Sequence, residues 1–148
     1  MREIAGAVDI AAPPHRVWEV LTDLSAYPEW NPLIRQASGR IAVGDRLALT
    51  TVPSRGRART VRPRLRAVVP DRELCWVSRL LVPGLLDRTH RFALADLNGG
   101  GTRVVQSERF TGVLVPLFGR VITRTVADFE ALGTALRRRA EGRPAAGA

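Results

Sequence analysis

LFGRVITRTVADFEALGTALRRRA, residues 117–140, is the stretch whose reading decides the fold. Its apolar residues include Val121, Ile122, Val126, Phe129, Leu132 and Leu136. The steps 122, 126, 129 and 136 trace one stripe of an α-helix. No proline interrupts the run, and Ala, Leu and Arg are good helix formers. At about 1.5 Å per residue the helix would be roughly 36 Å long. Arg137, Arg138 and Arg139 suit the negative end of its dipole. An apolar stripe of that length needs a partner surface, and most of the preceding chain reads as strands. The expected picture is one long helix lying on a curved antiparallel sheet.

Working outward, residues 3–10 read as a first strand. Pro13-Pro14 opens a short helix over 14–23, with Val17, Val20, Leu21 and Leu24 at helical spacing. Ser25 is placed to cap a further short turn ending at Trp30, and Asn31-Pro32 breaks it. Strands are predicted at 33–40, 45–52, 60–69, 73–80, 87–96 and 102–112. They are separated by Val43-Gly44-Asp45, Pro53-Ser54-Arg55-Gly56, Pro70-Asp71 and Asn98-Gly99-Gly100-Gly101, all good turn chemistry. Helices segregated against one antiparallel sheet make an α+β domain. Residues 1–140 form one expected domain, and the Gly, Pro and Ala-rich residues 141–148 a flexible tail.

Composition narrows the function classes. The 148 residues carry a net charge of +9 and 23 basic residues, every one of them Arg. That one-sided usage reads as coding bias, so nucleic acid is not an expected partner. The single cysteine, Cys75, excludes an intrachain disulfide. The first ten residues lack the apolar centre of a signal peptide. The longest apolar runs, 80–86 and 113–118, are too short to span a membrane. The expectation is a soluble, cytoplasmic protein, with a homodimer left open.

The order of elements and a set of motifs resemble the START-like, helix-grip (SRPBCC) superfamily, especially its bacterial polyketide cyclase/dehydrase-type members. The matching stretches are Val8-Asp-Ile-Ala-Ala-Pro13, Val17-Trp18-Glu-Val-Leu-Thr-Asp23 and Tyr27-Pro-Glu-Trp30-Asn-Pro32. Val43-Gly44, Trp76, His90-Arg-Phe92, Gly100-Gly-Thr-Arg103 and Glu108-Arg-Phe110-Thr-Gly112 continue the series. The resemblance covers about residues 3–140. It implies a seven-stranded sheet gripping the last helix, with an apolar cavity between them. It does not imply one activity, because folds host many.

Catalytic motifs are sparse. There is no phosphate loop, and Asn98 to Gly101 lies between two strands, which makes it a hairpin turn. Two histidines and one cysteine far apart do not suggest zinc, and no cofactor is expected. What remains is the inward face of the sheet. Period two puts His90, Phe92 and Leu94 on one face, and Val104, Gln106, Glu108 and Phe110 on one face of the next strand. In one register His90 faces Glu108. In a register slipped by two, His90 faces Gln106 and Arg88 faces Glu108. Buried His, Gln and Glu need partners, so the cluster is either a structural pair, a ligand contact or an acid/base pair.

Trp76 is expected on the same interior. Tyr27 and Trp30 sit in the helical corner that, in the resembled family, helps close the cavity, and Phe129 faces it from the helix. The expected function is binding a hydrophobic or amphipathic small molecule (a lipid, polyketide or ring compound) through Tyr27, Trp30, Trp76, His90, Phe92, Gln106, Glu108, Phe110 and Phe129. A cyclase or dehydratase using His90 and Glu108 is the alternative. A further alternative is a protein-interaction or anionic-surface module using the arginines at 55, 57, 59, 62, 64 and 66. The apolar loops 80–86 and 113–118 either plug the core or face a partner.

Overall fold

The computed structural model describes residues 1–52 and 57–142. The expected turn at Pro53 to Gly56, with Arg55, and tail residues 143–148 lie outside them. The order is β1 (Arg2–Ile10), α1 (Pro14–Thr22), α2 (Tyr27–Trp30), β2 (Ile34–Ser38), β3 (Ala48–Thr51), β4 (Arg59–Val61), β5 (Arg64–Val69), β6 (Glu73–Arg79), β7 (Asp87–Asp96), β8 (Thr102–Thr111) and α3 (Gly119–Ala140). Short 3-10 turns precede α2 and α3, at Leu24–Ala26 and Val115–Phe118.

The strands pair antiparallel in the orders β1-β8-β7-β6-β5 and β2-β3-β4. A lone bridge between Arg46 and Arg64, with the Leu65 amide donating to Asp45 and the Leu47 amide to Pro63, carries one group into the other. The described residues thus hold eight strands rather than seven. The expected strand 60–69 is divided at Pro63, which has no amide hydrogen to continue a ladder. Register shifts between Ile34 and Gln36 and between Leu65 and Ala67 bend the surface further.

Helix α1 buries Val17, Val20 and Leu21, with Pro14 in its first turn. Ser25 does not cap the next turn; its hydroxyl donates to Asp23 at 3.0 Å instead. Helix α3 lies over β1 and β8 and against α1. Its buried line is Ile122, Thr125, Phe129, Leu132, Gly133, Leu136 and Ala140. Val126, expected in the stripe, is 45% exposed, as is Val121 at 38%. The stripe runs through Thr125 instead, because its hydroxyl bonds to the Val121 carbonyl at 2.9 Å and loses its polarity to the helix. Gly133 lets the helix sit close: a Cβ there would touch Gln106 at 3.5 Å and Val8 at 3.7 Å.

The main core joins Ile10, Val17, Leu21, Leu49, Leu65, Leu74, Phe92, Val104, Leu132 and Leu136. A second cluster of Leu86, Phe110, Val115 and Ile122 lies under the two apolar loops. At the C-terminal end of α3, the Glu141 carboxylate accepts the Ala11 amide at 2.8 Å, fastening the helix end to the end of β1.

Replacing Phe129 by Ala deletes a large side chain that is 6% exposed. The expected loss is about 3–5 kcal/mol of folding stability, read from urea unfolding. An unchanged unfolding midpoint would show that the sheet does not hold α3 through this ring.

Candidate functional site

The pairing of β7 with β8 sets the site. Asn98, at φ 54, and Gly99 and Gly100, also at positive φ, make the connection between them. Residues Leu94 and Val104 are opposite each other, and so are Phe92 and Gln106, and His90 and Glu108. This is the first of the two registers, yet Arg88 also reaches Glu108 along the diagonal. Its Nε donates to Glu108 Oε1 at 2.7 Å. His90 Nδ1 is 3.7 Å from Glu108 Oε2, too long for a good hydrogen bond. The direct anchor of the carboxylate is therefore Arg88, whose guanidinium also lies over the Phe110 ring, 5.2 Å from its centroid.

Glu108 is 4% exposed. Burial alone would push its pKa up. Against it work the His90 side chain, the Arg88 charge and the Arg88 hydrogen bond, which together hold it at about 2. The carboxylate is a fixed anion at neutral pH.

Aromatic rings enclose His90. Trp76, its cross-strand partner on β6, stacks on the imidazole with centroids 5.3 Å apart and planes at 15°. Phe92 lies at 4.7 Å and Phe129, from α3, at 5.3 Å. Gln106 Nε2 donates to the Phe129 carbonyl at 3.3 Å. Among the described residues, two buried polar atoms of this group have no hydrogen-bond partner, His90 Nε2 and Gln106 Oε1. Orphans of this kind are rare in folded proteins.

The fold brings Trp76, His90, Phe92, Gln106, Glu108 and Phe129 together. Phe110 joins them only through Arg88 and otherwise packs in the second cluster. Tyr27 and Trp30 form a separate corner, edge to face at 5.2 Å. The Tyr27 hydroxyl donates to the Leu21 carbonyl, and burial and then the Asp23 carboxylate push its pKa up. That hydroxyl is already engaged within the corner.

Two cavities flank this corner. One, of about 360 Å³, lies between α1 and α2, with Arg16, Asp23, Trp30 and Arg139 among its walls. The other, of about 530 Å³, is a surface groove between α2 and α3, walled by Trp30, Pro32, Ala127, Ala131, Thr134 and Ala135, with Glu29, Glu130, Arg138 and Arg139 at its rim. Of the nine residues expected to contact a ligand, Trp30 alone borders either cavity. The Trp30 indole N–H is buried without a partner among the described residues. Sequence reasoning missed this groove. Its one signal was the small-residue line Ala127, Ala131 and Ala135, spaced one helical turn apart. Arg88 entered the reading only through the slipped register. Among the described residues there is no His, Cys, Asp and Glu group that could hold a metal.

The sequence matches, over residues 1–141, the protein family described as polyketide cyclase / dehydrase and lipid transport. Solved structures share the fold. A START superfamily protein from Mycobacterium smegmatis is 19% identical, with a TM-score of 0.76 over 95% of this chain and 97% of that one. The Zhui aromatase/cyclase from a Streptomyces species is 22% identical, with a TM-score of 0.69 over 93% and 94%. The protein XoxI from Bacillus cereus is 18% identical, with a TM-score of 0.73 over 94% and 95%. At such identities the likeness is one of fold. No curated protein sequence matches the chain.

The depressed pKa of Glu108 has a pH signature. Its ionised form is favoured in the folded state, so its contribution is complete above pH 4.5 and fades as pH falls through about 2. Glu108→Gln should flatten the acid limb of stability between pH 4.5 and 2, followed by urea midpoints. An acid limb identical in wild type and variant would contradict the assignment.

Proposed function

The chain belongs to the polyketide cyclase/dehydrase and lipid transport family, and we propose that it binds a hydrophobic or amphipathic small molecule whose polar end meets His90 and Gln106 beneath α3. The observation that carries this reading is the pair of partnerless buried atoms on one sheet face, His90 Nε2 and Gln106 Oε1. An unpaired buried polar group costs about 1–3 kcal/mol. A ligand hydroxyl would satisfy one of them, donating to Oε1 or to an unprotonated Nε2. The walls suit a ring compound, because Trp76, Phe92 and Phe129 present faces and edges around the same imidazole. In this reading Phe129 is the wall of the site on the helix side. Glu108 and Arg88 hold the polar end of the site in place, Tyr27 supports Trp30, and Phe110 supports Arg88.

A second reading, an aromatase/cyclase or dehydratase, draws on the same cluster and on the Zhui likeness. In it the proton would move through His90. Glu108, anionic to about pH 2 and tied to Arg88, would orient the imidazole and stabilise charge rather than exchange protons.

Native mass spectrometry of protein from its own host would identify a co-purified molecule. A dansylated fatty acid and a polycyclic phenol then serve as probes of the two ligand classes, followed by tryptophan fluorescence. Gln106→Met and His90→Gln should each weaken binding about tenfold, the scale of one hydrogen bond. Gln106→Met removes both the orphaned oxygen and the bond to the Phe129 carbonyl, so stability should change by no more than about 1 kcal/mol. A carrier shows only that affinity loss. A cyclase with His90→Gln still binds substrate but stops turning over. Affinities equal to wild type, with lower melting temperatures, would make the cluster scaffold and end this reading.

A further inference from the structure

The two apolar loops meet at the N-terminal end of α3. The Val113 and Leu114 amides donate to the carbonyls of Gly84 and Leu85, each at 3.0 Å. Gly112, at φ 118, lets them approach: a Cβ there would sit 2.4 Å from the Leu85 oxygen. The inner residues Leu86 and Val115 are buried with Phe110 and Ile122. The outer ones are not. Leu81 is 87% exposed, Leu117 78%, Val113 75% and Val82 55%. Val121 continues the surface one turn beyond Leu117. Single exposed aliphatics are ordinary, but a group of them on two joined loops marks an interaction surface.

Leu81 also holds φ 60, a conformation that bulky residues seldom adopt. A glycine would relieve it, yet a leucine stands there with its side chain in solvent. Strain of this kind collects at functional positions.

The charges around the tip have one sign. Residues 79–86 and 112–127 contain no Asp or Glu. Arg79 is matched by Asp87 at 3.7 Å. Arg120 and Arg124, both exposed on the first turns of α3, make no ion pair among the described residues. The Arg2 guanidinium reaches the same place, 3.6 Å from where a Gly119 Cβ would be. None of the exposed apolar residues is aromatic, whereas protein interfaces draw most of their energy from Trp, Tyr and Arg. Aliphatic side chains inside a cationic collar fit the boundary between acyl chains and phosphates.

We infer that this tip docks the protein on a lipid bilayer bearing anionic headgroups, with Leu81, Val82, Val113 and Leu117 entering the interface and Arg120, Arg124 and Arg2 meeting phosphate. The inference stands on this surface alone and does not depend on what the His90 cluster binds.

Sedimentation with vesicles tests it, using phosphatidylcholine alone and phosphatidylcholine carrying about a quarter phosphatidylglycerol. The wild type should bind the anionic vesicles, less so as salt rises. The pair Leu81→Asp and Leu117→Asp should lose at least about tenfold in binding, with an unchanged melting temperature because both side chains are exposed. Arg120→Glu with Arg124→Glu should lose a similar factor, each arginine being worth on the order of fivefold. Leu81→Gly should melt no lower than wild type and still bind more weakly. The triple variant Arg62→Gln, Arg64→Gln, Arg66→Gln, on and just before β5, the strand beyond β6, and outside the Arg120, Arg124 and Arg2 collar, should bind as wild type. No binding to anionic vesicles, equal binding to neutral ones, or a loss confined to the triple variant would each overturn the inference. So would a dimer in analytical ultracentrifugation that Leu117→Asp dissociates, since the tip would then be a contact between two copies of this chain.

Discussion

Everything in this molecule follows from one helix having to bury a stripe. Helix α3 carries Ile122, Phe129, Leu132 and Leu136 along one line, and no other helix among the described residues is long enough to cover them. The sheet has to supply the partner surface, and a flat sheet would touch a cylinder along a line only. Curvature is introduced where the backbone pairing is interrupted, at Pro63 and at the register shifts beside Gln36 and Ala67. Gly133 completes the contact by letting the helix axis approach β1 and β8. Loss of any of these would leave apolar area in water, at about 25 cal/mol for each Å².

A second constraint is electrical. Placing Glu108 on the buried face asks for compensation, since a carboxylate taken out of water without a partner is strongly disfavoured. Arg88 answers it, and Phe110 in turn supports the guanidinium with its ring. Such a charged group does little for net stability compared with apolar residues of the same size. Its presence among Trp76, Phe92 and Phe129 is therefore better explained by what it does for His90. A fixed anion within 4 Å orients the imidazole and leaves Nε2 pointing away from it. Under the proposed function, the unpaired atoms beside this paired charge would discriminate one polar ligand group from another, because the wrong group leaves them unsatisfied.

The sequence made much of this legible. Alternation along 87–96 and 102–112, joined by Asn98-Gly99, put His90 opposite either Glu108 or Gln106, and the strand pairing chose Glu108. The slipped register was also informative, because the diagonal reach of a long arginine lets Arg88 meet the same carboxylate. What escaped was whatever depends on depth rather than period. Val126 fits a helical stripe as well as Thr125 does, and only the packed sheet decides between them. Pro63 was visible in the string, but alternation on both sides of it masked the break. The groove beside Trp30 arises from small residues that leave space, and space has no periodic signature. Nor could the sequence divide the apolar loops into Leu86 and Val115, which plug the core, and Leu81 and Val113, which do not.

That division is itself a structural statement. A flexible loop rich in leucine would collapse onto the nearest apolar surface, and here the second core cluster offers one. The loops do not collapse. The Leu80 amide closes on the Leu86 carbonyl at 2.9 Å, and the Val113 and Leu114 amides tie the second loop to the first. With Gly112 pressed against Leu85, the backbone has little freedom to turn the outer side chains inward. Exposure of Leu81 is thus enforced by the same contacts that bury Leu86, five residues on. The base of the tip is also the cluster that holds Phe110, and Phe110 lies under the guanidinium that anchors Glu108. The tip and the polar end of the candidate site thus share one packed neighbour, Phe110.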